Sequence, residues 1–286
     1  MSDFVKDDGR THIKSSLMRE SLVSKSLIEQ TDAVTVQRMV PDVCMLAVGG
    51  RSIMDRGSEA ILPLVAAIAE LKNEFKLIVG VGGGARARHT YEIGIDLELP
   101  IGGLARIVGG AEENNRDILQ FLLAPHGGIT FIKDHFQDLQ LFLANGMIPV
   151  CIGQPPYHFW EPPSKEKGRL PDNGPDVGLF LQAEVIGAER VIYIKDVDGV
   201  YTDDPQKNPD AEFIPAITAR ELLDGDYPDL PIERELLRTL DDARSVTAVR
   251  VINGLNTDNL RRVLHGEDVG TIIYSRRHPG CAGQDR

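Results

Sequence analysis

The chain is punctuated by short apolar runs: VCMLAV (43–48), FKLIVGV (75–81), MIPVCIG (147–153), RVIYIK (190–195), AVRVING (248–254) and GTIIY (270–274). A strand that is apolar at nearly every position needs cover on both faces, which is the pattern of parallel sheets. Between the runs lie segments with helical apolar spacing. These are SEAILPLVAAIAELKNE (58–74) with Ser58 in the N-cap position, stretches near 85–97 and 111–124, DVGLFLQAEVIGA (176–188), and a short one near 257–265. LQLFLANGMIPVCIG (139–153) reads as a helix end, a turn at Asn145-Gly146 and a strand. Strands alternating with helices imply βαβ units. The expected fold is α/β: a three-layer α/β/α sandwich with a mainly parallel central sheet. A chain of 286 residues is long enough for one large domain of this kind. Residues 1–40 are polar and weakly patterned and read as an N-terminal arm, with residues 41–286 as the domain.

The formal net charge of -12 argues against a general nucleic-acid binder, whose surface would be basic. It leaves room for a small anionic ligand, because a few local arginines outweigh distant charge. Cys44, Cys151 and Cys281 are far apart with no CxxC, and the first two lie in apolar runs. They read as reduced, buried thiols. No apolar run approaches the roughly 18 residues of a membrane helix, and the N-terminus lacks the apolar stretch of a signal peptide. The expectation is a cytoplasmic protein with no membrane partner.

One segment breaks the rhythm. GQPPYHFWEPPSKEKGRLPDNGP (153–175) holds two Pro-Pro pairs and the only tryptophan. Such a run continues neither a helix nor a central strand. A loop this long inside a compact domain is usually functional or disordered, and Tyr157, His158, Phe159 and Trp160 argue against disorder in its first half.

Two strands end in glycine turns, Gly49-Gly50-Arg51 and Gly82-Gly83-Gly84, the second followed by Arg86 and Arg88. Glycine lets backbone N–H groups approach an anion closely, and a following helix N-terminus adds positive potential. Ligands of open α/β sheets bind outside the carboxyl ends of the strands, where both turns lie. The rival reading is two tight turns with no ligand. Neither turn matches GxGxxG or GxxxxGK[ST], so dinucleotide-fold and P-loop readings are poor. A third element, IKDVDGVYTDDP (194–205), is a strand running into an acidic turn. There Lys195 suits phosphate oxygens, Tyr201 suits packing on a base, and Asp204 suits a ribose hydroxyl or base edge.

Taken in order, VGG (48–50), VGGGARARH (81–89), Asp176 opening a helix, KDVDGVYTDDP (195–205) and GEDVGTII (266–273) resemble the amino-acid kinase superfamily and its uridylate-kinase-like branch. The resemblance spans residues 43–275. GGRSIMDRG (49–57), GARARH (84–89), PPYHFW (155–160) with its excursion to PDVG (175–178), and VRVINGL (249–255) are similar to the molybdenum storage family within that branch.

This resemblance implies ATP and Mg2+ as cofactors. It implies molybdate or tungstate as cargo, condensed into polynuclear oxo clusters inside a hexameric cage of identical or related subunits. It gives Asp176 the role of organising the phosphate site or magnesium, and Lys195 that of facing phosphate oxygens. Gly49, Gly50, Arg51, Gly83, Gly84, Arg86 and Arg88 would line the anion path, and Asp198, Tyr201, Asp204 and Pro205 would frame the nucleotide.

Two departures shape the expectation. Amino-acid kinases carry a lysine two residues before the first Gly-Gly; here it is Ala47. That implies ATP binding with slow hydrolysis rather than efficient kinase activity. Uridylate kinases carry an aspartate in the loop after the second helix; the corresponding stretch RIVGGAEEN (106–114) has Gly110 in that place. The threonine-rich acceptor loop gives way to 153–175. Its His158 and Glu161, with His126 and Glu112, are candidates to hold a metal–oxo cluster by coordination, hydrogen bonding or proton sharing. The alternative is a nucleotide or small-molecule kinase of the same fold.

Overall fold

The computed structural model describes residues 4–7, 10–13, 22–23, 37–131, 133–153, 168, 170–171, 173–205, 207–225 and 227–279. The chain divides into two compact units, residues 1–37 and 38–286. The first holds a small antiparallel sheet of β1 (Phe4–Asp7), β2 (Arg10–Ile13) and β3 (Leu22–Val23), in that order.

The second unit begins with β4 (Val43–Val48), a 3-10 turn (Met54–Arg56), α1 (Ser58–Leu71) and β5 (Lys76–Val81). It continues with α2 (Gly84–Asp96), α3 (Ile101–Leu123), β6 (Gly128–Thr130), α4 (Leu139–Ala144) and β7 (Ile148–Ile152). Next come α5 (Pro175–Ile186), β8 (Arg190–Lys195), β9 (Val200–Tyr201), β10 (Phe213–Ile214) and β11 (Ala216–Thr218). The unit closes with α6 (Ala219–Asp224), α7 (Arg234–Asp242), β12 (Ala248–Asn253), α8 (Asp258–Leu264) and β13 (Thr271–Tyr274).

Eight strands form the central sheet in the order β11-β13-β12-β8-β4-β5-β7-β6. Only the β12–β13 pair is antiparallel; the other neighbours run parallel. Strand side chains alternate between two cores, as the pleat requires. Val43, Met45, Ala47, Cys151 and Tyr193 pack with α5 and α7 on one face. Cys44, Leu46, Val48, Val79 and Ile192 pack with α1, α3 and α8 on the other. This is the expected three-layer α/β/α sandwich, and it explains why the strands are apolar at every position.

Two helix starts differ from the sequence reading. α1 is capped by Gly57 rather than Ser58, and the Gly57 carbonyl accepts from Ala60 and Ile61. Gly57 at φ +71 turns the chain from the 3-10 turn straight into the helix, which draws Ser58 into the first turn. α3 starts at Ile101 instead of near 111, because IGGLARIVGG (101–110) is helical despite four glycines. α2 and α3 pack closely at a glycine of α2. A Cβ on Gly94 of α2 would lie 2.4 Å from Leu104 and 3.0 Å from Ile107 of α3. The stretch 106–114, likened above to a loop, therefore lies inside a helix, and Gly110 has nothing within 4 Å of its Cβ position.

Gly80 of β5 tests the packing directly. Its Cβ position lies 2.1 Å from a methyl of Leu179 on α5. Gly80→Val overpacks that contact and is expected to cost about 1–3 kcal/mol. Urea unfolding checks this; an unchanged midpoint would show that α5 does not seat on β5 as described.

Candidate functional site

The adjacent strands β8, β4 and β5 end together at the carboxyl edge of the sheet. Gly49 N–H donates to the Ile194 carbonyl (3.0 Å) and Gly82 N–H to the Val48 carbonyl (3.2 Å), closing the three strand ends into one crevice. The two glycine turns touch backbone to backbone there. A Cβ on Gly50 would lie 2.3 Å from Gly84 N and 2.6 Å from Gly82 O. Gly84 sits at φ +61, where a side chain is strained. Gly50 and Gly83 are buried, yet among the described residues the N–H groups of Gly50, Gly83 and Gly84 donate to no protein acceptor. Buried backbone donors are nearly always paired. Several left open in one glycine crevice form a nest suited to an anion.

Carboxylates already lean on both helix N-termini at this edge. The caps of α2 and α5 are Gly83 and Gly174, which offer no side chain. Asp55 from the 3-10 turn accepts from Ala85 N–H at 2.6 Å, lying over Gly84. Glu233 accepts from Gly174 N–H and Val177 N–H, each at 3.2 Å. Negative charge there complements the helix dipole. Glu112, only 1% exposed, packs its stem against Gly83. Burial pushes the Tyr91 phenol well up, and the nearby charges of Glu112 and Glu233 push the same way.

The cations show the opposite state. Among the described residues Arg51, Arg86 and Arg88 are exposed and make no ion pair. Several other arginines are paired, Arg56 to Asp196 (2.6 Å), Arg190 to Glu189 (3.0 Å) and Arg262 to Glu267 (2.7 Å), while Arg106 and Arg277, like the three at the crevice, make no ion pair among the described residues. Arg86 is steered by Asn115, whose Oδ1 accepts from Nη1 at 2.5 Å. In a chain of net charge -12, three unmatched arginines beside an open nest give the crevice a local positive field.

Asp176 and Lys195, named separately in the sequence as candidates for the phosphate site, form an ion pair. Asp176 opens α5, Lys195 ends β8, and Nζ lies 2.9 Å from both carboxylate oxygens. The side chains are 13% and 12% exposed. Tyr193, fully buried, donates its hydroxyl to the Asp176 carbonyl at 2.8 Å. Ala47 is the register partner of Tyr193 on one side and Gly80 on the other.

Beyond Lys195, Asp198 accepts from Asn253 Nδ2 at 2.9 Å, and Tyr201 packs edge-on against Phe213 with ring centres 5.5 Å apart. Burial, then Asp198, raises the Tyr201 phenol. Asp204 is bridged by Lys207 at 2.6 Å, and Pro205 is exposed beside it.

His126 stands apart. It follows α3 and precedes β6, so it lies at the amino edge of the sheet, where its carbonyl accepts from Lys72. About 16 Å of helix separates Glu112 from the end of α3, at 1.5 Å per residue, so the two do not form one cluster. His158 and Glu161 lie outside the described residues. Sequence reasoning missed Asp55, Glu233, Tyr193 and Asn115, which act across 17 to 59 positions of sequence and leave no local signature.

Comparison with known proteins places the chain in a family. Residues 42–253 match the Amino acid kinase family. The chain is 39% identical over 261 residues to the molybdenum storage protein subunit beta of Azotobacter vinelandii, covering 91% of this chain and 96% of that protein. It is 29% identical over 249 residues to the uridylate kinase of Methanothermobacter thermautotrophicus, covering 80% and 97%. Among solved structures, uridylate kinase from Archaeoglobus fulgidus matches with a TM-score of 0.62 at 23% identity, covering 80% of this chain and 99% of that one; this likeness is one of fold.

The Asp176–Lys195 pair yields a stability test. Lys195→Met leaves a mostly buried carboxylate without its cation and is expected to cost about 3 kcal/mol. Lys195→Met combined with Asp176→Asn is expected to recover most of that loss in urea unfolding. Equal losses in the single and double variants would show that the pair is not coupled.

Proposed function

The chain belongs to the amino acid kinase family, in the branch that includes the molybdenum storage protein subunits, and we propose that it binds MgATP and stores molybdate or tungstate. In this reading the oxoanions condense into oxo clusters within a cytoplasmic hexamer of identical or related subunits, and the nucleotide is held more than it is used for transfer.

The observation that carries the reading is the state of the cations around Ala47. Phosphoryl transfer is almost wholly positioning and electrostatic stabilisation of the moving group. The position for a lysine beside that group holds Ala47, 2% exposed between Gly80 and Tyr193. The remaining lysine, Lys195, is engaged by both oxygens of Asp176. Removing one such donor typically costs about 10²–10³ in rate. What remains, an open nest and exposed arginines that make no ion pair among the described residues, favours holding an anion.

The residues fit the groups this reading requires. Phosphates suit the N–H groups of Gly50, Gly83 and Gly84 with Arg51, Arg86 and Arg88. Asp198, Tyr201, Asp204 and Pro205 would hold the nucleoside, with Asp204 released from Lys207. Magnesium would take Asp176 as its protein ligand. No group of three or more metal-ligating side chains occurs among the described residues, which suits an ion that keeps its waters and phosphate oxygens. Burial pushes Cys44 up to about 11 and Cys151 up to about 12, so neither offers a thiolate. Glu112, with His158 and Glu161 of the proline-rich loop, would face the cluster; His126, on the far edge, is outside this set. Exposed Ile93 on α2, Leu97 just after it, and Ile107 and Phe121 on α3 give an assembly apolar surface to bury.

A second reading, a uridylate-kinase-like enzyme, is favoured by Asp176 and Lys195 meeting at the strand ends and by the uridylate kinase relatives. Ala47 and Gly110 count against it.

Elemental analysis tests the first reading. After incubation with ATP, magnesium and molybdate and then desalting, many molybdenum atoms per chain are expected, and few without ATP. Substoichiometric metal in both samples would overturn storage. Asp55 supplies a second test, because its carboxylate is a resident competitor for any anion in the nest. Asp55→Asn keeps an acceptor for Ala85 N–H and removes the charge. MgATP affinity is expected to rise at least about tenfold, or 1.4 kcal/mol. A fall would mean that Asp55 assists binding.

A further inference from the structure

Asn115 lies in the middle of α3, fully buried, and spends both ends of its amide on the glycine crevice. Nδ2 donates to the Gly82 carbonyl at 2.8 Å and Oδ1 accepts from Arg86 Nη1 at 2.5 Å. The orientation of the amide follows from its partners, since a carbonyl only accepts and a guanidinium only donates. A buried amide costs free energy unless both ends are matched, and here both are.

Two consequences follow for the crevice. Across the planar trans peptide that joins Gly82 to Gly83, the carbonyl and the N–H point in opposite directions. Drawing the Gly82 carbonyl toward α3 therefore turns the Gly83 N–H away from α3, where it meets no protein acceptor among the described residues. The second bond fixes the guanidinium of Arg86 on the first turn of α2, where it makes no ion pair among the described residues. A donor and a cation from different parts of the turn are thus held by one side chain before any ligand arrives. Preorganisation of this kind raises affinity by removing ordering costs from the binding step.

We propose that Asn115 is a positioning residue for anion binding, holding the Gly83 N–H and Arg86 as one preformed unit that receives a phosphate or a tetrahedral oxoanion. The inference rests on the anion-holding reading of the crevice given above. It differs from a role in stability alone, in which Asn115 merely satisfies a loop carbonyl. A stability role leaves Arg86 energetically independent of Asn115 in ligand binding, whereas a positioning role makes the two non-additive.

The test is a binding cycle on the full-length chain with Asn115→Leu, Arg86→Gln and the double variant. Affinity is measured calorimetrically for MgATP and, in a separate arm, for molybdate alone, to tell a nucleotide phosphate from a free oxoanion. Each single variant is expected to weaken binding of the preferred ligand at least about tenfold, or 1.4 kcal/mol, and the double variant is expected to bind no more weakly than Asn115→Leu. Wild-type binding with Asn115→Leu unchanged, or with effects that multiply, would overturn the inference and leave the anion-holding reading intact. Failure of the wild-type chain to bind either ligand would overturn both. If Asn115→Leu does not fold, Asn115→Ala replaces it: both the acceptor for Arg86 and the donor to Gly82 go, with no added bulk or charge. A tenfold loss is again expected, and unchanged affinity would overturn the inference.

Discussion

The site depends on a contact between two pieces of backbone. Gly50 after β4 and Gly82–Gly84 after β5 approach so closely that a single methyl group on Gly50 would collide with main-chain atoms. Parallel pairing of β4 with β5 over six residues brings the two turns side by side. Both cores serve that alignment: one face of β4 and β5 seats α5, and the other seats α1 and α3. The turns leave N–H groups open because no side chain stands between them and no strand continues beyond them.

Charge determines what such a crevice accepts. The chain is strongly acidic, and carboxylates reach into the site from Asp55, Glu112 and Glu233. Among the described residues the three arginines at the rim make no ion pair, while Lys195 is matched by Asp176. An incoming anion therefore meets exposed cations, Arg86 among them braced by Asn115, and open N–H groups, and it competes with a carboxylate already in place. This arrangement suits reversible holding of an anion. A transferase needs its cations fixed on the moving group and available to it, and here one such position is an alanine packed beside Tyr193.

The strands were legible because burial on both faces made them apolar throughout, and the glycine turns because nothing but glycine allows their approach. The start of α3 was hidden by Gly102, Gly103, Gly109 and Gly110, which weaken helix propensity; the close approach of Gly94 on α2 to Leu104 and Ile107 shows how small residues serve this pair of helices. The cap of α1 was misplaced by one residue, since Ser58 has the better cap chemistry and Gly57 the required dihedral angle. Asp176, Lys195 and the acidic turn could be named from motif order. Asp55, Glu233 and Asn115 could not, because a cap or brace supplied from far along the chain has no spacing to read. The amino-edge placement of His126 likewise depends on topology.

Holding of ATP in the crevice without efficient transfer is tested most directly by measuring ATP binding and ATP-dependent phosphorylation of UMP in the same preparation, for the wild-type chain and for Ala47→Lys. Saturable ATP binding with UMP phosphorylation at background is expected in the wild-type chain. Little gain is expected in Ala47→Lys, since the lysine enters a buried slot beside Tyr193. Rapid UMP phosphorylation by the wild-type chain, or its recovery to an ordinary kinase rate in Ala47→Lys, would contradict holding without transfer.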